Sequence, residues 1–468
     1  MNKYEIDNDF EDNVTLILNK IFPIQETKDS EDIKNIKTDE DFNQYIQKHK
    51  STLLATKHKG FKESQLLIIQ NLLIIQKNLH NEKKLLKEAR KNKSNEQQTI
   101  KTNISILEYQ ENILKHLADT ILWQLLQGNT HLSRRFYQNV QGTKTLEETN
   151  YQSVLIVANE INKEMSNFVL LTDITSYAQI GDLIGIVDGK YNIIEVKEGK
   201  TNATLLEDLE KVIENNNSEN ALQKYDKKPK EKKQLQRMIK QHEVTKDELN
   251  IIKNDIGHDP VTNKTIKIFT PTSDTIYYNK ELNQLEEQLK TRNFWAYTVI
   301  DNCLHIGLYK GEKRFLGKYI LKQIAKTQDI KYPIIIDARS AMQSLDCPLF
   351  FLPFSKELIM DIVMGRVIML LMLDINNFMK LYERFGCKST WVSRKETMKI
   401  KESLQNNTLF VCDNKSISIT NIHRITMILD SGTFCKILFD HIRPMYIAYS
   451  SNMIYNSNIE PKTNKEEK

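Results

Sequence analysis

The chain is expected to fold as a mixed α/β (α+β) protein, on three observations. Paired apolar residues recur at helical spacing across residues 61–127. Three short β-type runs follow one another between residues 168 and 199. Strand-like and helix-like runs then alternate to about residue 455.

The 468 residues suggest two or three domains. With 40% hydrophobic and 27% charged residues there is apolar material for a core and an ordinary polar surface. A net charge of +5 permits a nucleic-acid partner without demanding one. The five cysteines are odd in number and none stand as C-x-x-C, so no zinc ribbon or disulfide framework is expected, and a reducing cytoplasm fits. The first residues, MNKYEIDNDFEDN, are acidic and lack an apolar signal core. The longest apolar run, VIMLLML at 367–373, is too short to span a bilayer and is bracketed by Arg366 and Asp374. A soluble cytoplasmic protein is the expectation. No G-x-x-x-x-G-K-[ST] loop and no H-x-x-x-H occur, which removes P-loop ATP hydrolysis and that zinc spacing.

Taken in order, residues 1–60 are polar and expect short helices and loops. Two long antiparallel helices follow, ESQLLIIQNLLIIQKNLHNEKKLLKEARK and ISILEYQENILKHLADTILWQLLQ. The first turns Leu66, Ile69, Leu72, Leu73, Gln76 and Leu79 to one side, and Gly128 ends the second. Their apolar face is wider than a coiled-coil seam, so they read as a scaffold on which a second copy or a protein partner has room to dock. NYQSVLIVANEINKEM reads as a helix with Val154, Val157, Ile161 and Met165 inward. FVLLTDIT, DLIGIVDG and YNIIEVKEG read as strands, and Thr201–Asn202 as the cap of the next helix. Residues 215–233 form a polar insertion, followed by a basic helix, KKQLQRMIKQ. Residues 251–275 look irregular apart from a short strand, IKIFT. A helix at 279–292 leads into a hairpin, FWAYTVIDNCLHIGLYKG, turning at Asp301–Asn302. Further on, YPIIIDA reads as a strand, KELIMDIVMGRVIMLLMLDINNFMKLYERFG as one or two buried helices, and TLFVCDNKSISITNIHRI as a hairpin. The expected domains are a helical region at 1–140, a core at 141–315, a C-terminal α/β extension at 316–455, and a disordered tail at 456–468.

The chemistry concentrates at Gly181–Lys200, GDLIGIVDGKYNIIEVKEGK. Asp-Gly in Val187–Lys190 signals a tight hairpin. Side chains two apart on a strand share a face, so Glu195 and Lys197 point the same way. Asp182 starts the partner strand, and its distance from Glu195 depends on register. If the two meet, paired carboxylates raise each other's proton affinity. A hard divalent cation, Mg²⁺ or Mn²⁺, relieves that conflict, acidifies a bound water and stabilises charge on a phosphate oxygen. Lys197 is then placed to position the water or to neutralise the transition state.

Asp182 followed by Glu195-x-Lys197, in the order helix–strand–strand–strand–helix, resembles the PD-(D/E)XK nuclease superfamily over about residues 145–255. The resemblance implies a restriction-endonuclease-like mixed sheet flanked by helices. It implies Asp182 and Glu195 as metal ligands, Lys197 as the catalytic assistant, and Glu160 as a further acid on the first core helix. It also implies a Mg²⁺-dependent nuclease acting on nucleic acid, DNA first, with a setting such as bacterial DNA processing or anti-phage defence. Lys233, Arg237 and Lys240 on the basic helix could track a phosphate backbone. Arg134 and Arg135, beside Phe136 and Tyr137, have the aromatic interleaving of a nucleic-acid-binding loop. The alternatives are a non-catalytic nucleic-acid-binding subunit and a protein scaffold. On those readings Asp182 is a strand-start residue, Glu195 and Lys197 a cross-strand ion pair, and Glu160 an exposed helix charge.

Overall fold

The structure, a computed structural model, describes residues 8–23, 38–133, 136–137, 145–197, 200–215, 222–254, 256–259, 264–267, 274–343, 346–403, 409–422 and 424–457. It is mixed α+β and divides into two compact units, Met1–Lys267 and Ile268–Lys468. The helices before 140 pack against the strands after 167, and the hairpin near 300 shares a sheet with strands beyond 330. Among the described residues no helix is long and apolar enough to cross a membrane. None of the five cysteines, all among the described residues, forms a disulfide.

The first unit opens with α1 (Asn8–Ile21), α2 (Asp39–Lys91) and α3 (Gln97–Leu125). Much of the stretch expected as short helices is instead the start of α2, launched by a capping box between Thr38 and Asp41. Helices α2 and α3 run antiparallel, joined by Gln76 to Glu111 at 2.9 Å and Lys83 to Glu108 at 3.1 Å. Ile68, Ile69, Leu72, Ile75 and Leu79 are buried, whereas Leu66 is exposed, so the buried stripe is slightly rotated from the one read in sequence. Gly128, at φ +72°, donates its N–H to the Trp123 carbonyl and closes α3 as expected.

Helix α4 (Tyr151–Ile161) buries Val154 and Ala158, but it ends before Met165, which is exposed. An antiparallel sheet follows: β1 (Phe168–Leu171), β2 (Leu183–Val187) and β3 (Lys190–Ile194), in the order β1-β2-β3. Side chains occupy the outer edge of β1. Asn162 accepts from Val169 N–H at 2.8 Å and Gln65 of α2 from Leu171 N–H at 2.9 Å. Buried Asp119 of α3 accepts from both the N–H and the hydroxyl of Ser176, which fixes the loop leading to β2. The Tyr191 hydroxyl of β3 donates to the Leu125 carbonyl, tying the sheet to the end of α3.

Helix α5 begins at Lys200 (Lys200–Asn215), so Thr201 and Asn202 lie inside its first turn rather than capping it. It packs with α6 (Pro229–Asn254) through Leu205, Leu209, Tyr225, Leu235 and Met238. The polar stretch 215–233 is therefore tied down in part: buried Tyr225 donates to Asp208 at 2.6 Å, while residues 216–221 lie outside the described ones. The stretch read as irregular holds a two-stranded pair, β4 (Ile256–Asp259) and β5 (Lys264–Lys267).

The second unit is built on α7 (Asn279–Arg292), β6 (Trp295–Ile300), β7 (Leu304–Lys310), α8 (Gly317–Thr327), β8 (Pro333–Asp337), α9 (Lys356–Val363), β9 (Val367–Asp374) and α10 (Ile375–Arg384). Its antiparallel sheet has the order β6-β7-β9-β8. Asp301 and Asn302 both take left-handed φ in the β6–β7 turn, as their types suggest. VIMLLML, expected within a helix, is the inner strand β9. Gly365 at φ +75° breaks the chain before it, and Asp374 caps α10 after it by accepting from Asn377 N–H. A second sheet, β10 (Lys388–Trp391), β11 (Ile417–Thr420) and β12 (Thr426–Ile428), is accompanied by α11 (Arg394–Ser403), α12 (Ser431–Leu438) and α13 (Pro444–Ser457). Residues 456–457 of the expected disordered tail belong to α13, and 458–468 lie outside the described residues.

Candidate active site

Asp188 and Gly189, at φ 50° and 73°, make the two-residue turn of the β2–β3 hairpin. Val187 then pairs with Lys190 and Leu183 with Ile194. The Asp182 N–H donates to the Ile194 carbonyl at 2.8 Å, just outside the last ladder pair, Leu183 with Ile194, which holds Asp182 beside the Glu195–Lys197 segment. Glu195 to Lys197 lie just past the last residue of β3. The preceding residue, Gly181, has φ +72°, and a Cβ there would stand 2.4 Å from Ile193 Cγ2. Proline, locked near φ −65°, cannot take this position, so the proline that names the PD-(D/E)XK pattern is sterically barred here.

The three side chains interact. Asp182 Oδ2 accepts from the Val196 N–H at 2.7 Å. Lys197 Nζ donates to Glu195 Oε2 at 2.8 Å and to Gln241 Oε1, on α6, at 3.2 Å. The Lys197 side chain is 14% exposed and that of Glu195 25%, so the pair is screened less than a surface one. Burial pushes the Asp182 carboxyl above the usual carboxylate range. The Val196 N–H pulls it back, Glu195 pushes it up again, Lys197 pulls down, and Asp173, after β1, adds a last upward push. Among the described residues Asp182 Oδ1 and Glu195 Oε1 have no hydrogen-bond partner.

The sheet thus brings Asp182, Glu195 and Lys197 together, with Gln241 as a fourth participant that sequence reasoning did not single out. Gln241 stood in the basic helix, and nothing in its local pattern marked it. Glu160 does not join them. It sits on the exposed side of α4, 71% exposed, in an ion pair with Lys163 at 2.6 Å. Helical geometry accounts for this, because Val154 and Ala158 define the packed face and Glu160 lies off it. Lys233, Arg237 and Lys240 are exposed on the side of α6 opposite buried Leu235 and Met238. Arg134 and Arg135 lie outside the described residues. Their neighbour Phe136 is 1% exposed, so it is a core side chain and cannot stack on a base, while Tyr137 is exposed.

Among the described residues no group of three or more His, Cys, Asp or Glu side chains is arranged to hold a metal. The arrangement offers two carboxylates and one ammonium, a donor set of hard oxygens suited to a Mg²⁺-type ion that keeps several waters. Comparison with protein-family models, with curated proteins and with solved structures finds no match for the chain.

Proposed function

We propose that the chain is a Mg²⁺- or Mn²⁺-dependent nuclease, cleaving phosphodiester bonds of DNA in the first instance, on a restriction-endonuclease-like core. The observation that carries the reading is that Asp182 is bonded to the Ile194 carbonyl and the Val196 N–H, on either side of Glu195, with Lys197 bonded to Glu195. Burial first, and then the charge of Glu195, hold the Asp182 carboxyl above its usual range, and a divalent cation would relieve the part that is charge. Asp182 and Glu195 would hold the ion. When bound, it supplies an acidified water and charge stabilisation at a phosphate oxygen. The residues of the chain do the rest. The Val196 N–H orients Asp182, Gln241 orients Lys197, and the ammonium stands ready to hold the attacking water or the developing charge.

The test is plasmid cleavage with Mg²⁺. The wild type is expected to cut, EDTA to stop it, and Lys197→Ala to lower the rate by about 10²-fold or more. Equal cutting by wild type and Lys197→Ala, or no cutting with either metal, overturns the reading. The direct Lys197–Glu195 ion pair favours a second reading, a nucleic-acid-binding subunit without catalysis. On that reading binding through Lys233, Arg237 and Lys240 falls with salt and is indifferent to EDTA and to Glu195→Gln.

A further inference from the structure

In the second unit, a cleft of about 370 Å³ lies between the edge strand β6 and helix α8, lined by Trp295, Tyr297, Tyr309, Lys313, Ile320 and Ile324. Trp295 stands opposite Tyr309 across the hairpin, and Tyr297 opposite Gly307. A Cβ on Gly307 would meet the Tyr309 hydroxyl at 2.5 Å, so the glycine gives that ring its place. Tyr309 is 1% exposed, and its hydroxyl has no hydrogen-bond partner among the described residues. The buried Tyr309 ring thus forms one wall of a cleft whose other aromatic walls, Trp295 and Tyr297, stand on the edge strand.

Around the cleft, Phe294, Phe315 and Tyr319 are all more than half exposed. The Arg292 guanidinium lies 4.8 Å over the Trp295 ring and that of Arg314 4.7 Å over Phe315. The stretch Lys310–Thr327 carries six cationic side chains against one carboxylate, Glu312. Lys318, Lys322 and Lys326 stand exposed at four-residue spacing along α8, with no ion pair among the described residues. Exposed rings interleaved with an excess of cations favour an anionic chain of planar rings.

We infer that this face binds single-stranded nucleic acid, one base entering the cleft against Trp295 and Tyr297 while Lys313, Lys318 and Lys322 neutralise neighbouring phosphates. The inference stands on the second unit alone and does not rest on the Asp182–Glu195–Lys197 site.

The experiment is fluorescence anisotropy of a labelled oligothymidine with the full chain, without metal, at low salt. Trp295→Ala is expected to weaken binding about tenfold, the loss of one stacked base. Lys318→Glu with Lys322→Glu, both at exposed positions, is expected to weaken it at least as much and to flatten the salt dependence. The loss is read without metal and in variants of the second unit alone, which separates this surface from the nuclease reading. Unchanged affinity in both the Trp295 and the double-lysine variants overturns the inference. So does absence of oligonucleotide binding together with capture by phosphatidylserine vesicles that these variants abolish.

Discussion

Asp182 exchanges water for one backbone amide and a neighbouring carboxylate, and its raised proton affinity is the cost. The folded chain holds that proton more tightly than the unfolded one. Stability therefore falls as pH rises from the ordinary carboxylate value near 3.8 through the raised one. Asp182→Asn keeps an acceptor for the Val196 N–H and removes the charge. It is expected to raise the melting temperature at neutral pH, the gain vanishing below about pH 3.5, as differential scanning fluorimetry across pH would show. His441, in the second unit, has the opposite sign. Burial lowers its pKa to about 4, whereas the unfolded chain takes the proton near 6.5. Stability is thus lost as pH falls from about 6.5 to 4, by about 3 kcal/mol over the full window. His441→Asn suits the left-handed φ of 58° and is expected to flatten that pH dependence of the urea midpoint.

At the scale of elements, the β2–β3 hairpin shows what was legible and what was overlooked. The apolar runs and the Asp188–Gly189 turn predicted the hairpin, and it formed with both turn residues left-handed. Register was left open, yet a two-residue turn settles it: pairing Val187 with Lys190 brings Leu183 opposite Ile194 by counting alone, and so sets Asp182 next to the Glu195 segment. Strand β9 was missed for a different reason. An apolar run with both faces covered has no period, so it reads equally as helix or strand. The extent of α2 was missed because its early turns are polar and its start rests on the Thr38 cap. Gly185, in the middle of β2, was unremarked. A Cβ there would stand 2.0 Å from the Phe168 carbonyl oxygen of β1. Gly185→Ala is expected to destabilise the first unit by about 1–3 kcal/mol, read as a lower chemical-denaturation midpoint.

On the scale of the molecule, the sequence motif accounts for one edge of the first unit and is silent on the second. The Asp182–Glu195–Lys197 group sits at the adjoining ends of consecutive strands, so local pattern could find it, whereas Gln241 arrives from 44 residues downstream of Lys197 and needs tertiary packing. The aromatic and basic face of the second unit likewise assembles from a hairpin, a turn and a helix, whose side chains meet only once β6, β7 and α8 are packed. We propose that Asp182 and Glu195 together seat a divalent cation. Titration of Mn²⁺ followed by electron paramagnetic resonance, on wild type, Asp182→Asn and Glu195→Gln, tests it most directly. One bound ion in the wild type, lost in both variants, is the predicted result. Wild-type chain that leaves Mn²⁺ free, or variants that bind it as well as the wild type, would contradict the account.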